Sequence, residues 1–195
     1  KKAHSISVFS PKGGTGATTL AVNLAIALKQ QTDAPVLLID ADLRTADVDI
    51  FLSILSKHSI YSLIDFGQTV DEELVERVVA KHTSGISVLR GEPQLQFDIP
   101  IESGQMHDLV EALNTIWEGY IVVNTNEGLD RWTVEILDAV ETVLVVTTPE
   151  LPALRATRNF LELADAAADP SGKWQLVLSS NHGKKELPIA DIEAS

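Results

Sequence analysis

Six short runs rich in β-branched residues and leucine punctuate the chain: SISVFS (5–10), PVLLID (35–40), ISVL (86–89), YIVVN (120–124), TVLVVTT (142–148) and WQLVLSS (174–180). Most are apolar at successive positions, which suits strands covered on both faces and so a parallel sheet. The segments between them repeat apolar residues at a different spacing: Leu20, Leu24 and Leu28; Leu74, Val75, Val78 and Val79; Met106, Leu109, Val110, Leu113 and Ile116; Leu154, Leu161 and Ala164. Residues so spaced form one stripe on a helix. Alternating strand and helix predict an α/β fold, a doubly wound and mostly parallel sheet flanked by helices. There is no internal repeat, low-complexity stretch or linker, and DPSGK (169–173) and HGKKELP (182–188) read as surface turns. A single domain over 1–195 is expected. A helix is expected to begin within PIADIEAS, so the domain is expected to belong to a longer protein and to be cut at its C-terminus.

Composition narrows the function classes. A chain of 195 residues, 45% apolar, is long enough for one well-buried core. Its 28 acidic against 15 basic residues give a net charge of −13, which repels a phosphate backbone and an anionic membrane surface. No apolar run nears the ~20 residues of a membrane span, and no segment reads as a signal peptide, so the expectation is a cytoplasmic protein with neither nucleic-acid binding nor membrane insertion. The absence of cysteine excludes disulfides, thiolate zinc sites and thiol catalysis. His4, His58, His82, His107 and His182 show no ligand spacing and read as surface residues. Trp117, Trp132 and Trp174 read as packing at element ends, since no basic residues interleave with them to suggest base stacking.

Candidate chemistry concentrates in SPKGGTGATT (10–19), which follows a predicted strand and opens a predicted helix. In that context glycines let the backbone turn its N–H groups inward, and the helix N-terminus adds a dipole that favours an anion. Gly13, Gly14 and Gly16, with Lys12 before them and Thr18 and Thr19 after, resemble the KGGxGKTT loop of the MinD/ParA family of deviant Walker ATPases at every position but Ala17. The resemblance runs over nearly the whole chain. LLIDADLR (37–44) falls where that family has its second-strand aspartates, and GYIVVNTNEGLD (119–130) where it has DYIIIDTPPGLD. Within the family, DADLRTADVDIFLS and TTPELPALRATRNFLEL look most like the CpaE/TadZ branch, which helps to localise and assemble pili and related secretion systems.

What the resemblance implies is an ATP or ADP site with Mg2+ in a homodimer that works with protein partners of a pilus or secretion assembly. It places Lys12, Gly13, Gly14, Thr15, Gly16, Ala17, Thr18, Thr19 and Glu150 around the nucleotide, Glu150 touching the partner's. Thr18 and Asp40 fall to the metal, Asp42 to the attacking water, and Lys12 to a crossing of the interface towards the partner's phosphates. Three departures set this chain apart. Ala17 replaces the lysine that contacts the β and γ phosphates, Asn124 replaces the aspartate ending the Walker B strand, and Ser179 and Ser180 stand where an asparagine would read adenine. One lost charge-assisted hydrogen bond costs roughly 1.5–3 kcal/mol, which weakens binding without abolishing it. Ala17 removes a positive charge and Asn124 a negative one, so the pocket's formal charge is expected to be preserved, with weak or absent hydrolysis. Each residue also has a plainer alternative: a tight turn for the glycines, a solvated loop lysine for Lys12, a helix cap for Thr18, turn aspartates for Asp40 and Asp42, and a favourable helix-dipole contact for Glu150. Three functions stay open: a nucleotide-binding, dimerising regulator or localisation factor; a pseudo-ATPase scaffold that binds no nucleotide; and an active partitioning or positioning ATPase.

Overall fold

The structure, a computed structural model, describes residues 3–64, 69–93, 101–166 and 172–179. Seven strands form one sheet: β1 (His4–Phe9), β2 (Val36–Ala41), β3 (Ala80–Lys81), β4 (Ser87–Leu89), β5 (Tyr120–Thr125), β6 (Thr142–Thr147) and β7 (Trp174–Leu178). Their order across the sheet is β3-β4-β2-β5-β1-β6-β7, parallel except for β3 at one edge. The longer helices are α1 (Ala17–Thr32), α4 (Glu72–Val78), α5 (Gln105–Ile116), α6 (Arg131–Ala139) and α7 (Leu151–Ala166); α2 (Val48–Leu52) and α3 (Tyr61–Ile64) are short. The doubly wound architecture expected from the sequence is the one observed.

Two apolar layers explain why the strand runs are continuous. Leu37, Ile39, Ile121, Val123, Val143 and Val145 pack with Leu109, Val110, Leu113 and Ile136 of α5 and α6 on one face. Val36, Leu38, Val122 and Val146 pack with Ala21, Val22 and Ala25 of α1 on the other. Neighbouring residues in a strand point to opposite faces, so a strand buried on both is apolar along most of its length. Strand β7 departs from the expectation. It is the sheet's edge, and Leu176 is 51% exposed there. Its apolar sequence looks like that of the inner strands, but no strand among the described residues lies beyond it. Periodicity also left α6 unread, along with the short α2 and α3, and it assigned Val79 to a helix that ends at Val78 before the β3 edge. The expected turn at 182–188 and the helix expected within PIADIEAS lie outside the described residues, as does most of the turn at 169–173.

The tryptophans sit at element ends. Trp117 caps the end of α5, Trp132 is in the first turn of α6, and Trp174 opens β7, edge-on to Phe160 at 5.3 Å between ring centroids.

Strand β5 enters between β1 and β2 through Gly119, whose carbonyl accepts from His4 N (2.8 Å) while Tyr120 N donates to Pro35 O (3.0 Å). Gly119 has φ +94°, and a Cβ there would fall 2.3 Å from the Pro35 carbonyl oxygen. Both facts require glycine. Gly119→Ala should therefore destabilise the fold by at least about 1–3 kcal/mol, read as a lower urea midpoint at an unchanged denaturant slope.

Candidate functional site

The carboxyl ends of the parallel strands carry the site. The loops after β1, β2 and β5 meet there around a cleft of about 350 Å³, lined by Lys12 to Thr19, by Asp42, Arg44 and Asp47, and by Asn126 and Glu127. Such a crevice is the usual ligand position in an open α/β sheet. Its floor is the loop between β1 and α1. Ser10 fixes the loop's entry, because its hydroxyl donates to Lys12 O (2.7 Å) and accepts from Lys12 N (3.3 Å). Gly14 and Gly16 then take left-handed conformations, φ +79° and +88°, open to glycine without strain. Helix α1 starts at Ala17 with no side-chain cap. Its first N–H groups are thus left for water or an anion, and the alternative that Thr18 caps the helix falls away.

The candidate residues divide. Lys12, Gly13, Gly14, Thr15, Gly16, Ala17, Thr18, Thr19 and Asp42 are brought together on the cleft. Asp42 binds its own turn, accepting from Arg44 N (3.1 Å), Thr45 N (3.3 Å) and the Thr45 hydroxyl (2.8 Å). Glu150 does not line the cleft; its carbonyl opens α7 by accepting from Ala153 N and Leu154 N. Ser179 lies close to Gly16, its Oγ 3.7 Å from where a Cβ of Gly16 would be, and Ser180 lies outside the described residues.

Asp40 does not line the cleft either. It is fully buried behind it, where the parallel register of β2 and β5 sets it opposite Asn124. The Asn124 amide donates to Oδ1 at 3.0 Å, Asp42 N to the same oxygen at 3.3 Å, and Val48 N to Oδ2 at 3.1 Å. Gly91 closes the fourth side, since a Cβ there would lie 2.7 Å from Asp40 O. Asn124 Oδ1 is buried without a partner among the described residues.

The expected preservation of the pocket's formal charge does not hold. Asn124 sits behind the cleft with Asp40, so its lost negative charge does not offset Ala17 at the phosphate loop. Glu127 adds a carboxylate instead. Lys12 and Arg44 therefore face Asp42, Asp47 and Glu127, two cations against three carboxylates. Arg44, Asp47 and Glu127 went unread although each lay inside a stretch compared with the family: DADLRTAD holds the first two, and Glu127 stands where DTPPGLD has its second proline.

This geometry fits the phosphates of a nucleotide better than it fits the metal. The glycine turn and the uncapped α1 form a phosphate cradle, with Lys12 and Thr19 beside it. For Mg2+, Thr18 and Asp42 are placed on the cleft, whereas Asp40 is engaged by protein donors, and no three His, Cys, Asp or Glu side chains converge among the described residues.

Residues 3–171 match a protein family described as an AAA domain. The chain belongs to that family, and its fold is that of the MinD/ParA P-loop NTPases. It is 35% identical over 152 residues to the septum site-determining protein MinD of Thermotoga maritima, covering 76% of this chain and 54% of that protein. Against MinD of Synechocystis it is 30% identical over 175 residues, covering 89% and 63%. It thus spans roughly half of these relatives. In fold it is similar to a ParA family ATPase from Chlorobium tepidum, with TM-score 0.88, 23% identity, 98% of this chain and 80% of that one. MinD of Pyrococcus horikoshii complexed with Mg-ADP superposes with TM-score 0.80 at 20% identity, over 98% of this chain and 76% of that one. No helix among the described residues is long and apolar enough to cross a membrane.

The Asp40 carboxyl is raised from its ordinary 3.8 to about 7. Burial is the main cause; the Asn124 amide and the Val48 and Asp42 N–H groups pull it partly back, and the charge of Asp42 pushes it up. Between those two values the folded domain keeps a proton that the unfolded chain has lost. Asp40's contribution to stability is then full at acid pH and is lost as pH rises through about 7, with a limiting slope of about 1.4 kcal/mol per pH unit. In urea unfolding at pH values from about 5 to 8, Asp40→Asn should be the less stable protein at the acid end and should lack this downward slope.

Proposed function

We propose that this domain is a nucleotide-binding, dimerising regulator or localisation factor whose ATP hydrolysis is slow or absent. The observation that carries the reading is the cradle itself: Gly14 and Gly16 in left-handed turns before an uncapped α1, at the floor of a cleft of about 350 Å³. Binding energy would come from the N–H groups of residues 13–19 and from Lys12, with Thr18 and Asp42 reaching a magnesium ion. Such an ion supplies charge neutralisation between phosphates when it is bound. Slow turnover follows from Ala17, which offers no cation to the charge that develops in phosphoryl transfer, and from Asp40, whose carboxylate is held away from the cleft. Phosphate release by the purified domain should stay well below about 1 per second.

Dimerisation rests on charge. Two cations against three carboxylates make a cleft that disfavours a polyphosphate, so a Lys12 from a second copy would supply what Ala17 does not. Phe51, 52% exposed at the cleft wall, and Ile50, 74% exposed beside it on α2, present apolar surface of the kind a partner covers. A role in positioning or partition draws support from the septum-site and ParA names of the relatives. The pilus and secretion-system role, with its partners, rests on DADLRTADVDIFLS and TTPELPALRATRNFLEL alone.

Binding and dimerisation are then coupled, each favouring the other by the same free energy. Sedimentation over a range of ATP concentrations should shift the wild-type domain towards dimer, while Lys12→Ala neither shifts nor keeps its affinity. Equal ATP affinity in both proteins would leave Lys12 a surface residue. The excess of carboxylates in the cleft favours a second reading, a scaffold that binds no nucleotide; a calorimetric titration with ATP, with and without Mg2+, that gives no heat would establish it.

A further inference from the structure

We propose that Glu127 is an internal competitor for the phosphate loop, a carboxylate that a nucleotide must displace before it binds. The inference rests on the nucleotide-binding reading of the cleft and goes beyond it by assigning an autoinhibitory contact. Glu127 leaves the end of β5 in the turn Asn126–Glu127–Gly128, where Gly128 has φ +88°. Asn126 ties that turn to the start of α6: its amide donates to Asp130, and its carbonyl oxygen accepts from the Thr133 hydroxyl. Asp130 in turn accepts from Thr133 N at 3.0 Å as the cap of α6. The backbone beneath Glu127 is therefore fixed, and its side chain projects over the loop between β1 and α1.

The contact is close. A Cβ on Gly13 would fall 1.7 Å from Glu127 Oε2 and 2.8 Å from its Cδ, so the carboxylate rests in space that only glycine leaves open. It has no hydrogen-bond or ion-pair partner among the described residues, although Lys12 and Arg44 line the same cleft. A negative group lying on a loop whose N–H groups favour anions occupies ground a phosphate would need, and it repels a phosphate bound nearby. Glu127 thus lowers nucleotide affinity in the free domain, and swinging it off Gly13 opens the site.

The test compares wild type, Glu127→Gln and Glu127→Ala by calorimetric titration with ATP and Mg2+ at low salt and at about 1 M salt, where exposed charges are screened within about 3 Å. Expected is an affinity about tenfold tighter for Glu127→Gln at low salt, an effect of the size expected from one exposed like charge at contact range, with the gap narrowing at high salt. Glu127→Ala should bind at least as tightly as Glu127→Gln. Binding by the variants with none by wild type also supports the proposal, as a site that Glu127 keeps shut. Equal affinities in all three proteins overturn it while leaving the nucleotide site in place. Weaker binding by the variants overturns it too, making Glu127 a ligand contact. No binding by any of the three overturns both the competitor and the nucleotide-binding reading.

Discussion

Burial of the central strands on both faces is the constraint on which the rest depends. Since β1, β2 and β5 send buried apolar residues to both faces, the helices that join the parallel strands must pass over one face or the other. Parallel strands end at the same edge, so the segments that follow β1, β2 and β5 arrive together although the first and the last of them lie more than a hundred residues apart in the chain. The candidate site lies at that edge. Gly119 shows how tight the arrangement is, since it lets β5 slide between β1 and β2 against the Pro35 carbonyl.

Register then decides what lies beneath the cleft. Asp40 and Asn124 are neighbours because β2 and β5 pair residue for residue in parallel. Two carboxylates at 3.0 Å in a dry interior could not both ionise, and an amide at position 124 removes that conflict by donating to Asp40. The result is a closed polar knot in which Asp40 also holds the first N–H of α2 through Val48. Asp40, which the family resemblance assigns to metal chemistry, is hydrogen-bonded here to β5 through Asn124 and to α2 through Val48. The unpartnered oxygen of Asn124 is the local cost of that exchange.

Electrostatics in the cleft run against the shape of its floor. The backbone from Gly13 to Thr19 is arranged to receive an anion, while the side chains above it carry an excess of negative charge. Shape and charge agree only if a further cation arrives or a carboxylate departs. Lys12 of a second copy would achieve the first, and movement of Glu127 the second. Either one makes binding conditional on an event beyond simple diffusion of ligand into a ready pocket, which is how a positioning factor would differ from a constitutive hydrolase.

Much of this was legible in the chain. Continuous apolar runs separated by helical stripes specify a parallel sheet covered twice, because periodicity records burial directly. SPKGGTGATT between the first run and the first stripe specified where the loop lies and which backbone it exposes, since glycine and helix-start chemistry are local. Other features became visible only in three dimensions. That β7 is an edge depends on which strand lies beside it, a matter the apolar count of WQLVL does not encode. That Asp40 faces inward while Asp42 lines the cleft depends on β2 ending at Ala41, so that Asp42 enters the turn to Thr45, and on Gly91 closing over Asp40. That Glu127 rests on Gly13 depends on β5 and β1 being neighbours, 114 positions apart in the chain. Local order is written in residue spacing, whereas charge balance in a cleft is a sum over segments that only the folded sheet brings within a few ångströms of one another.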